Sequence, residues 1–359
     1  MRDVFRICEE KKLKGLRVID AHIGSPSHEP PKKISSILRS IEKAGSEYLP
    51  FEGMDTTRMK VTEFSKKFLG RDMDWRRVFI TNGGVQALSI SFLALRNKKL
   101  LIPSPAFPQY FDQMSLHYIK YDTYNSMSED LVNEIISKLS SDVGAVLINY
   151  PNNPTGYAPD NSALTDLWDE LKKRKILLVN DSAYSQLYFN SKPVVPGDII
   201  VDTFSKTFGV PGLRLGYLYW EAEEVEKVSK IVYLSSAGVS EISQIVLNEL
   251  IDSASEDYFE KVRDYYKRKR DLISSMLKKE GFVFPEPRGA FYIFASHEKM
   301  KSSEELAERL LSRNDTAVGI VPGRAFGSSE KWFRISYGKL PEEDLLDLVR
   351  ILSEEIDRL

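Results

Sequence analysis

The side chains best able to do chemistry in this chain each follow a short apolar run. Lys206 stands in Thr203-Phe204-Ser205-Lys206, directly after such a run. A lysine there is either a surface residue of the next loop or a nucleophilic amine. Such an amine condenses with a carbonyl to give a Schiff base, and desolvation helps by lowering its pKa. Arg214 follows, with Gly209, Gly212 and Gly216 between and beside, and its guanidinium can fork onto a phosphate. Asp181 ends another run, with Tyr184 shortly after. A carboxylate at the end of a buried strand is costly unless a cation or hydrogen-bond donor meets it, though it can equally cap a helix. Asn82-Gly83-Gly84-Val85 opens a helical stretch. Free N–H groups at a helix start, beside the positive end of its dipole, bind anions; a plain tight turn needing positive φ is the alternative. Prolines 103, 105 and 108 stiffen the segment around Phe107, which can stack on a flat ring or serve as a core aromatic. Asn149-Tyr150-Pro151-Asn152-Asn153-Pro154-Thr155-Gly156 reads as an irregular loop whose amides can meet a ligand or satisfy turns.

These positions need elements to hold them. Apolar runs at 78–81, 99–102, 118–122, 143–149, 175–180, 198–203 and 215–220 show no clean polar alternation, which is how strands covered on both faces read. Between several of them lie helical patterns. Leu88, Phe92 and Leu95 share a face after Val85, as do Leu164, Leu167, Trp168 and Leu171 within 161–173. This rhythm predicts an α/β fold with a mostly parallel, seven-stranded sheet between helices, and such sheets bind ligands at the carboxyl ends of their strands. After Trp220 the texture changes. Residues 221–279 read as nearly all helical, followed by short strands at 290–295 and 332–337 and a helix over 341–359. We expect a large domain over 31–260 and a smaller α+β domain from 1–30 and 261–359.

Composition narrows the function classes. A net charge of −2 over 359 residues argues against nucleic-acid binding through bulk electrostatics. The single Cys8 excludes an internal disulfide and a cysteine-rich metal site. The four histidines show no metal-ligand spacing on a helix, so we expect no metal and no His-based hydrolase. Residues 1–14 are charged and lack the apolar stretch of a signal peptide, and no run is long enough to span a membrane. A cytoplasmic protein is expected, with no membrane partner.

Taken together, a phosphate cradle, a stacking ring, an amide, a carboxylate, a Schiff-base lysine and an arginine share one sheet edge. That set matches pyridoxal phosphate. At this point the sequence resembles the class I/II aminotransferases, pyridoxal-phosphate enzymes of fold type I, from about Ile23 to Tyr337. The resemblance rests on Asn149–Gly156 (NYPNNPTG) and Thr203–Gly216 (TFSKTFGVPGLRLG). YLPFEG from Tyr48, TNGGVQAL from Thr81, GAFY from Gly289, VPGRAFG from Val321 and RIS from Arg334 support it.

The resemblance implies roles. Lys206 would carry the cofactor and shuttle a proton, Asp181 would pair with its pyridinium nitrogen, and Tyr184 and Asn153 would bond its phenolic oxygen. Phe107 would stack on the ring. Backbone N–H groups of Gly83, Gly84 and Val85, the hydroxyls of Thr203 and Ser205, and Arg214 would bind the phosphate. Arg334 would clamp the substrate α-carboxylate, with Gly24 and Asn153 beside it. Tyr48 would reach the cofactor phosphate of a neighbouring subunit in a homodimer. The implied activity is ping-pong transfer of an amino group between an L-amino acid and a 2-oxo acid, aspartate or aromatic with 2-oxoglutarate. Relatives on this fold also perform histidinol-phosphate transamination, β-elimination at C–S bonds and decarboxylation. A non-catalytic regulator with the same fold is a further alternative, though the match begins too early to leave room for an added DNA-binding module. Val85, where a hydroxyl or lysine is common, limits one phosphate contact to the backbone. Ser182 replaces a usual glutamate, and Thr57-Arg58 a usual leucine-arginine pair. Phe5, Phe51, Tyr110 and Phe326 are candidates to wall an aromatic side-chain pocket.

Overall fold

The computed structural model describes residues 2–45 and 47–358. A short strand, β1 (Arg17–Ile19), precedes the strands of the main sheet: β2 (Val78–Thr81), β3 (Lys99–Ser104), β4 (Tyr121–Asn125), β5 (Val143–Ile148), β6 (Leu177–Asp181), β7 (Ile199–Thr203) and β8 (Gly216–Trp220). Their spatial order is β2-β8-β7-β6-β5-β3-β4. The five strands from β7 to β4 are parallel, and β8 runs antiparallel between β2 and β7. The expected mostly parallel seven-stranded sheet is therefore present.

The absence of polar alternation has the predicted cause. Phe79, Leu100, Ile102, Leu147, Val179, Val201, Leu218 and Trp220 point into one apolar layer with the helix Gly84–Ala94. Their chain neighbours Val78, Ile80, Ile200, Tyr217 and Tyr219 enter a layer on the opposite face, and Leu101, Val146, Ile148 and Leu178 extend it over the other half of the sheet. Successive side chains alternate faces, so a sheet covered twice needs apolar residues at every position.

The remaining strands are β9 (Tyr292–Ala295), β10 (Thr316–Val318), β11 (Val321–Pro322) and β12 (Phe333–Ser336). β9, β12 and β11 form an antiparallel sheet, while β1 pairs in parallel with β10. The N-terminal segment is thus stitched to the C-terminal part of the chain. The 24-residue helix Glu256–Lys279 links the two cores: Phe259 packs below the main sheet, and Val262, Tyr266, Ile273 and Leu277 pack against β9 and β12. The expected division at residue 260 falls inside this helix.

Two expectations shift. The run expected at 118–122 becomes β4 at Tyr121–Asn125, because residues 117–119 finish the preceding helix Pro108–Leu116. Tyr118 takes a left-handed φ of 54°, its N–H donates to the Ser115 carbonyl and the Ile119 N–H to that of Met114. This is a Schellman closure. The helical stretch 221–279 divides into three helices, two of them started by serine caps: Ser240 accepts from the Ser243 N–H and Ser255 from that of Tyr258.

Ile335 is fully buried on β12 opposite Ile293, so truncating it leaves a cavity in the core. Ile335→Ala should lower unfolding free energy by about 2–5 kcal/mol in a denaturant titration.

Candidate active site

A cavity of about 260 Å³ opens at the carboxyl edge of the main sheet. One wall is a helix start. After β2, Gly83 takes φ 80° and caps the helix Gly84–Ala94, and the Gln86 amide oxygen accepts from the Asn82 N–H at 2.7 Å. The positive φ of Gly83 disfavours any side chain there, and an added Cβ would displace the tip of Arg214, whose Nη2 would lie 2.7 Å away. Gly84 and Val85 line the cavity with their free helix-start amides. Arg214, itself at φ 52°, donates from Nη1 to the Pro211 carbonyl at 3.0 Å. Thr203 ends β7, and its hydroxyl donates to Ser205 Oγ at 3.0 Å. Gly216 opens β8, where a Cβ would come within 2.6 Å of the Asp202 carbonyl, so strand and cradle close on each other only with glycine there.

The floor carries the carboxylate. Asp181 is the last residue of β6 and is buried. Tyr110 donates its hydroxyl to Oδ2 at 2.5 Å and the Ala183 N–H donates to Oδ1 at 3.2 Å. Burial pushes its pKa up to about 6 against the pull of those two donors. Lys206 stands one turn beyond β7, and its Nζ donates to the Gly24 carbonyl at 2.8 Å. Burial first, then the charges of Arg334 and Arg214, lower the pKa of its amine to about 8. Tyr184 and Tyr292 share a hydrogen bond of 2.8 Å between their hydroxyls.

The far wall carries Arg334, on β12. Its Nη1 donates to Asn153 Oδ1 at 3.0 Å, its Nη2 to the His22 carbonyl at 2.7 Å, and its buried Nε has no partner among the described residues. Asn149 ties the asparagine loop to the floor: its Nδ2 donates to the Asp181 carbonyl and its Oδ1 accepts from the Asn153 N–H.

Gly24, Gly84, Val85, Phe107, Asn153, Asp181, Tyr184, Thr203, Ser205, Lys206, Arg214 and Arg334 thus all line one cavity, although they are scattered over the whole chain. Gly83 lies just behind it, under Arg214. Tyr48 is fully exposed and takes no part in this cavity. Of the aromatic residues expected to wall a side-chain pocket, only Phe5 does so; Phe51, Tyr110 and Phe326 do not line the cavity. Tyr110 lies beneath, spending its hydroxyl on Asp181. His22, Leu88, Asn149 and Tyr292 line it without having been singled out as lining residues. Asn149 and Tyr292 stood within motifs, but nothing in the sequence aims the Tyr292 hydroxyl at Tyr184, and His22 carries no local signal.

The electrostatics are lopsided. Among the described residues one carboxylate faces three cations, and Lys206, Arg214 and Arg334 donate only to carbonyl or amide oxygens. An anionic ligand with separated charges is what this wall complements. Residues 18–352 match the family described as aminotransferase class I and II.

The chain belongs to the class I and II aminotransferases.

Aspartate aminotransferase from Pyrococcus horikoshii is 29% identical, with the alignment covering 98% of this chain and 94% of the relative. Aromatic-amino-acid aminotransferase 2 from Thermococcus litoralis is also 29% identical, over 95% and 90%. The crystal structure of aspartate aminotransferase from Thermotoga maritima superposes with a TM-score of 0.88 at 26% identity, covering 99% of this chain and 96% of that one. The protein is a pyridoxal-phosphate-dependent aminotransferase. The cavity fits that cofactor. It has a helix-start cradle that a Cβ would fill, a buried carboxylate, an aromatic side chain at Phe107, and a buried amine of lowered pKa.

Because burial lowers the Lys206 pKa, the free amine prevails above about 8 rather than above the ordinary 10.5. The rate at which the cofactor-free protein captures pyridoxal phosphate, followed by visible absorbance, should rise with pH and level off above about 8. A rate still climbing into the ordinary lysine range would contradict this environment.

Proposed function

We propose that this aminotransferase moves the amino group of aspartate or an aromatic amino acid to 2-oxoglutarate, in a cytoplasmic homodimer. The observation that carries the reading is the meeting of Lys206, Asp181, Arg214 and Arg334 in one cavity, with none of the three cations paired to a carboxylate among the described residues. The names of the two archaeal relatives support the substrates, and Phe5 supports an aromatic side chain. The cationic side chains among the described lining residues are Lys206, Arg214 and Arg334, so a second substrate carboxylate would take its cation from a partner subunit. Full exposure of Tyr48, with Tyr233 and Leu234 also exposed, supports a dimer in which Tyr48 reaches a neighbouring cofactor.

Each side chain then has a task. Gly83, Gly84 and Val85 amides, the Thr203 and Ser205 hydroxyls and Arg214 bind the phosphate. Asp181 holds a proton on the pyridine nitrogen, and that N–H in turn draws its raised pKa back down. Tyr110 and Ala183 keep the carboxylate oriented. Phe107 covers one face of the ring, and Tyr184 with Asn153 bonds the phenolic oxygen. Arg334 takes the α-carboxylate in a fork, exchanging some of its present contacts with Asn153 and the His22 carbonyl. When bound, the cofactor supplies an electron sink for the pair left at Cα. Lys206 is both the anchoring amine and, once free, the base that removes the Cα proton. Residues 31–260 would carry the cofactor, and 1–30 with 261–359 would close over the substrate through Gly24 and Arg334.

The test is rapid mixing of holoenzyme with single amino acids, without acceptor. Aspartate or an aromatic donor should convert the cofactor's visible band, and 2-oxoglutarate should restore it. Lys206→Ala should cost turnover by at least ~10²–10⁴-fold, the usual share of a positioned base. Pyruvate or carbon dioxide released with the band unchanged would instead identify a lyase or decarboxylase.

A further inference from the structure

Tyr292 opens β9 and is buried at the meeting point of three parts of the site. Its hydroxyl lies 2.8 Å from that of Tyr184, and the two rings meet edge to face at 5.6 Å. The Arg334 guanidinium carbon sits 4.8 Å from the centre of its ring. A Cβ at position 24 would lie 2.7 Å from the Tyr292 hydroxyl, so Gly24 leaves the space this phenol occupies, while the Gly24 carbonyl holds Lys206. Among the described residues, neither hydroxyl of the tyrosine pair has another hydrogen-bond partner.

We propose that Tyr292 is a positioning residue that donates its hydroxyl proton to Tyr184, leaving the Tyr184 proton committed to the cofactor's phenolic oxygen. This rests on the role given to Tyr184 above. A phenol has one proton to donate and can accept as well. If Tyr184 donates toward the cofactor, its oxygen must be the acceptor in the pair, and the donor is then Tyr292. The two bonds run in series, and a hydroxyl that accepts a bond donates a stronger one. Tyr292 thereby adds to the stabilisation of negative charge on the phenolic oxygen. The same ring rests beside Arg334, so the donor that tunes the cofactor also packs on the clamp for the substrate carboxylate.

The charged and titratable groups facing the pair are Arg334 from β12, Asp181 at the end of β6 and Lys206 beyond β7, with Arg214 and His22 in the same cavity. All remain in place when a single hydroxyl is removed. Tyr292→Phe keeps the ring and its packing on Arg334.

The test is a pH titration of the visible absorbance of four holoenzymes without substrate: wild type, Tyr292→Phe, Tyr184→Phe and the double variant. Thermal melts check that all four fold. Losing a donor that favours the phenolate raises the midpoint. We expect Tyr292→Phe to raise it by roughly 0.5–1 pH unit, the size of one net hydrogen bond. Tyr184→Phe should raise it further, and adding Tyr292→Phe to Tyr184→Phe should change nothing more. A midpoint unmoved by Tyr292→Phe while Tyr184→Phe shifts it overturns the proposal and leaves the role of Tyr184 intact. An equal shift by Tyr292→Phe in both backgrounds also overturns it, since the hydroxyl would then not act through Tyr184. No shift from Tyr184→Phe would remove the reading of Tyr184 itself, and this proposal with it.

Discussion

A buried charge without a countercharge costs several kcal/mol, yet this chain keeps Lys206, Asp181 and Arg334 in one cavity and pairs none of them with another. Direct pairing would be the cheap solution and would silence the site, because a lysine locked to an aspartate is not a free amine, and the aspartate so held is not free to meet a ligand. Neutral groups are used instead. A phenol and a backbone N–H hold Asp181, a carbonyl holds Lys206, and an amide with a carbonyl holds Arg334. Hydrogen bonds of this kind satisfy part of each ion's demand and leave the remainder for a ligand. The shifts follow from that arrangement: the amine falls to about 8 and the carboxyl rises to about 6, each towards its uncharged form.

Holding three charges apart to within hydrogen-bond tolerances needs rigid supports from distant parts of the chain. β6 and β7 lie side by side and deliver Asp181 and Lys206 to the same edge. β12 delivers Arg334 from the other core, and residues 22–24 supply the carbonyls that receive both Arg334 and Lys206. Those residues follow β1, which is fixed to β10 rather than to the main sheet. Movement of the smaller core relative to the main sheet would therefore change the contacts of Arg334 and Lys206 together. The long helix Glu256–Lys279, with apolar side chains in both cores, is the element most able to limit such movement.

Much of this was legible in the sequence because the physics is local. A doubly covered strand must be apolar at every position, so the runs at 78–81, 143–149 and 198–203 announce themselves. Glycines and prolines at strand ends mark where the chain must turn tightly, which is why Gly83, Gly84 and the asparagine loop could be named. Limits appear where contacts are long-range. The Schellman closure at Tyr118 moved β4 by three residues because a tyrosine in the left-handed region gives no sequence signal. Tyr110 reads as one more aromatic in a proline-rich stretch; its bond to Asp181 joins the helix Pro108–Leu116 to the end of β6, which β5 separates from β3 in the sheet. His22 and Tyr292 joined the cavity through packing between the two cores, which no local pattern encodes.

Gly24 shows how closely those long-range demands are interlocked. Its carbonyl is occupied by the Lys206 amine, and its missing side chain is the space filled by the Tyr292 hydroxyl. That hydroxyl meets Tyr184, whose ring also packs edge-on against Phe291. A single methyl group at position 24 would collide with the phenol rather than with any flexible chain end, and the phenol cannot yield without leaving Tyr184 or pressing on Arg334. The backbone that steadies the amine and the hydroxyl pair on the cavity wall are thus set by one packing decision. Interactions coupled in this way do not vary independently, so substitutions at Gly24, Tyr184, Tyr292 and Arg334 are not additive, whichever substrate the enzyme prefers.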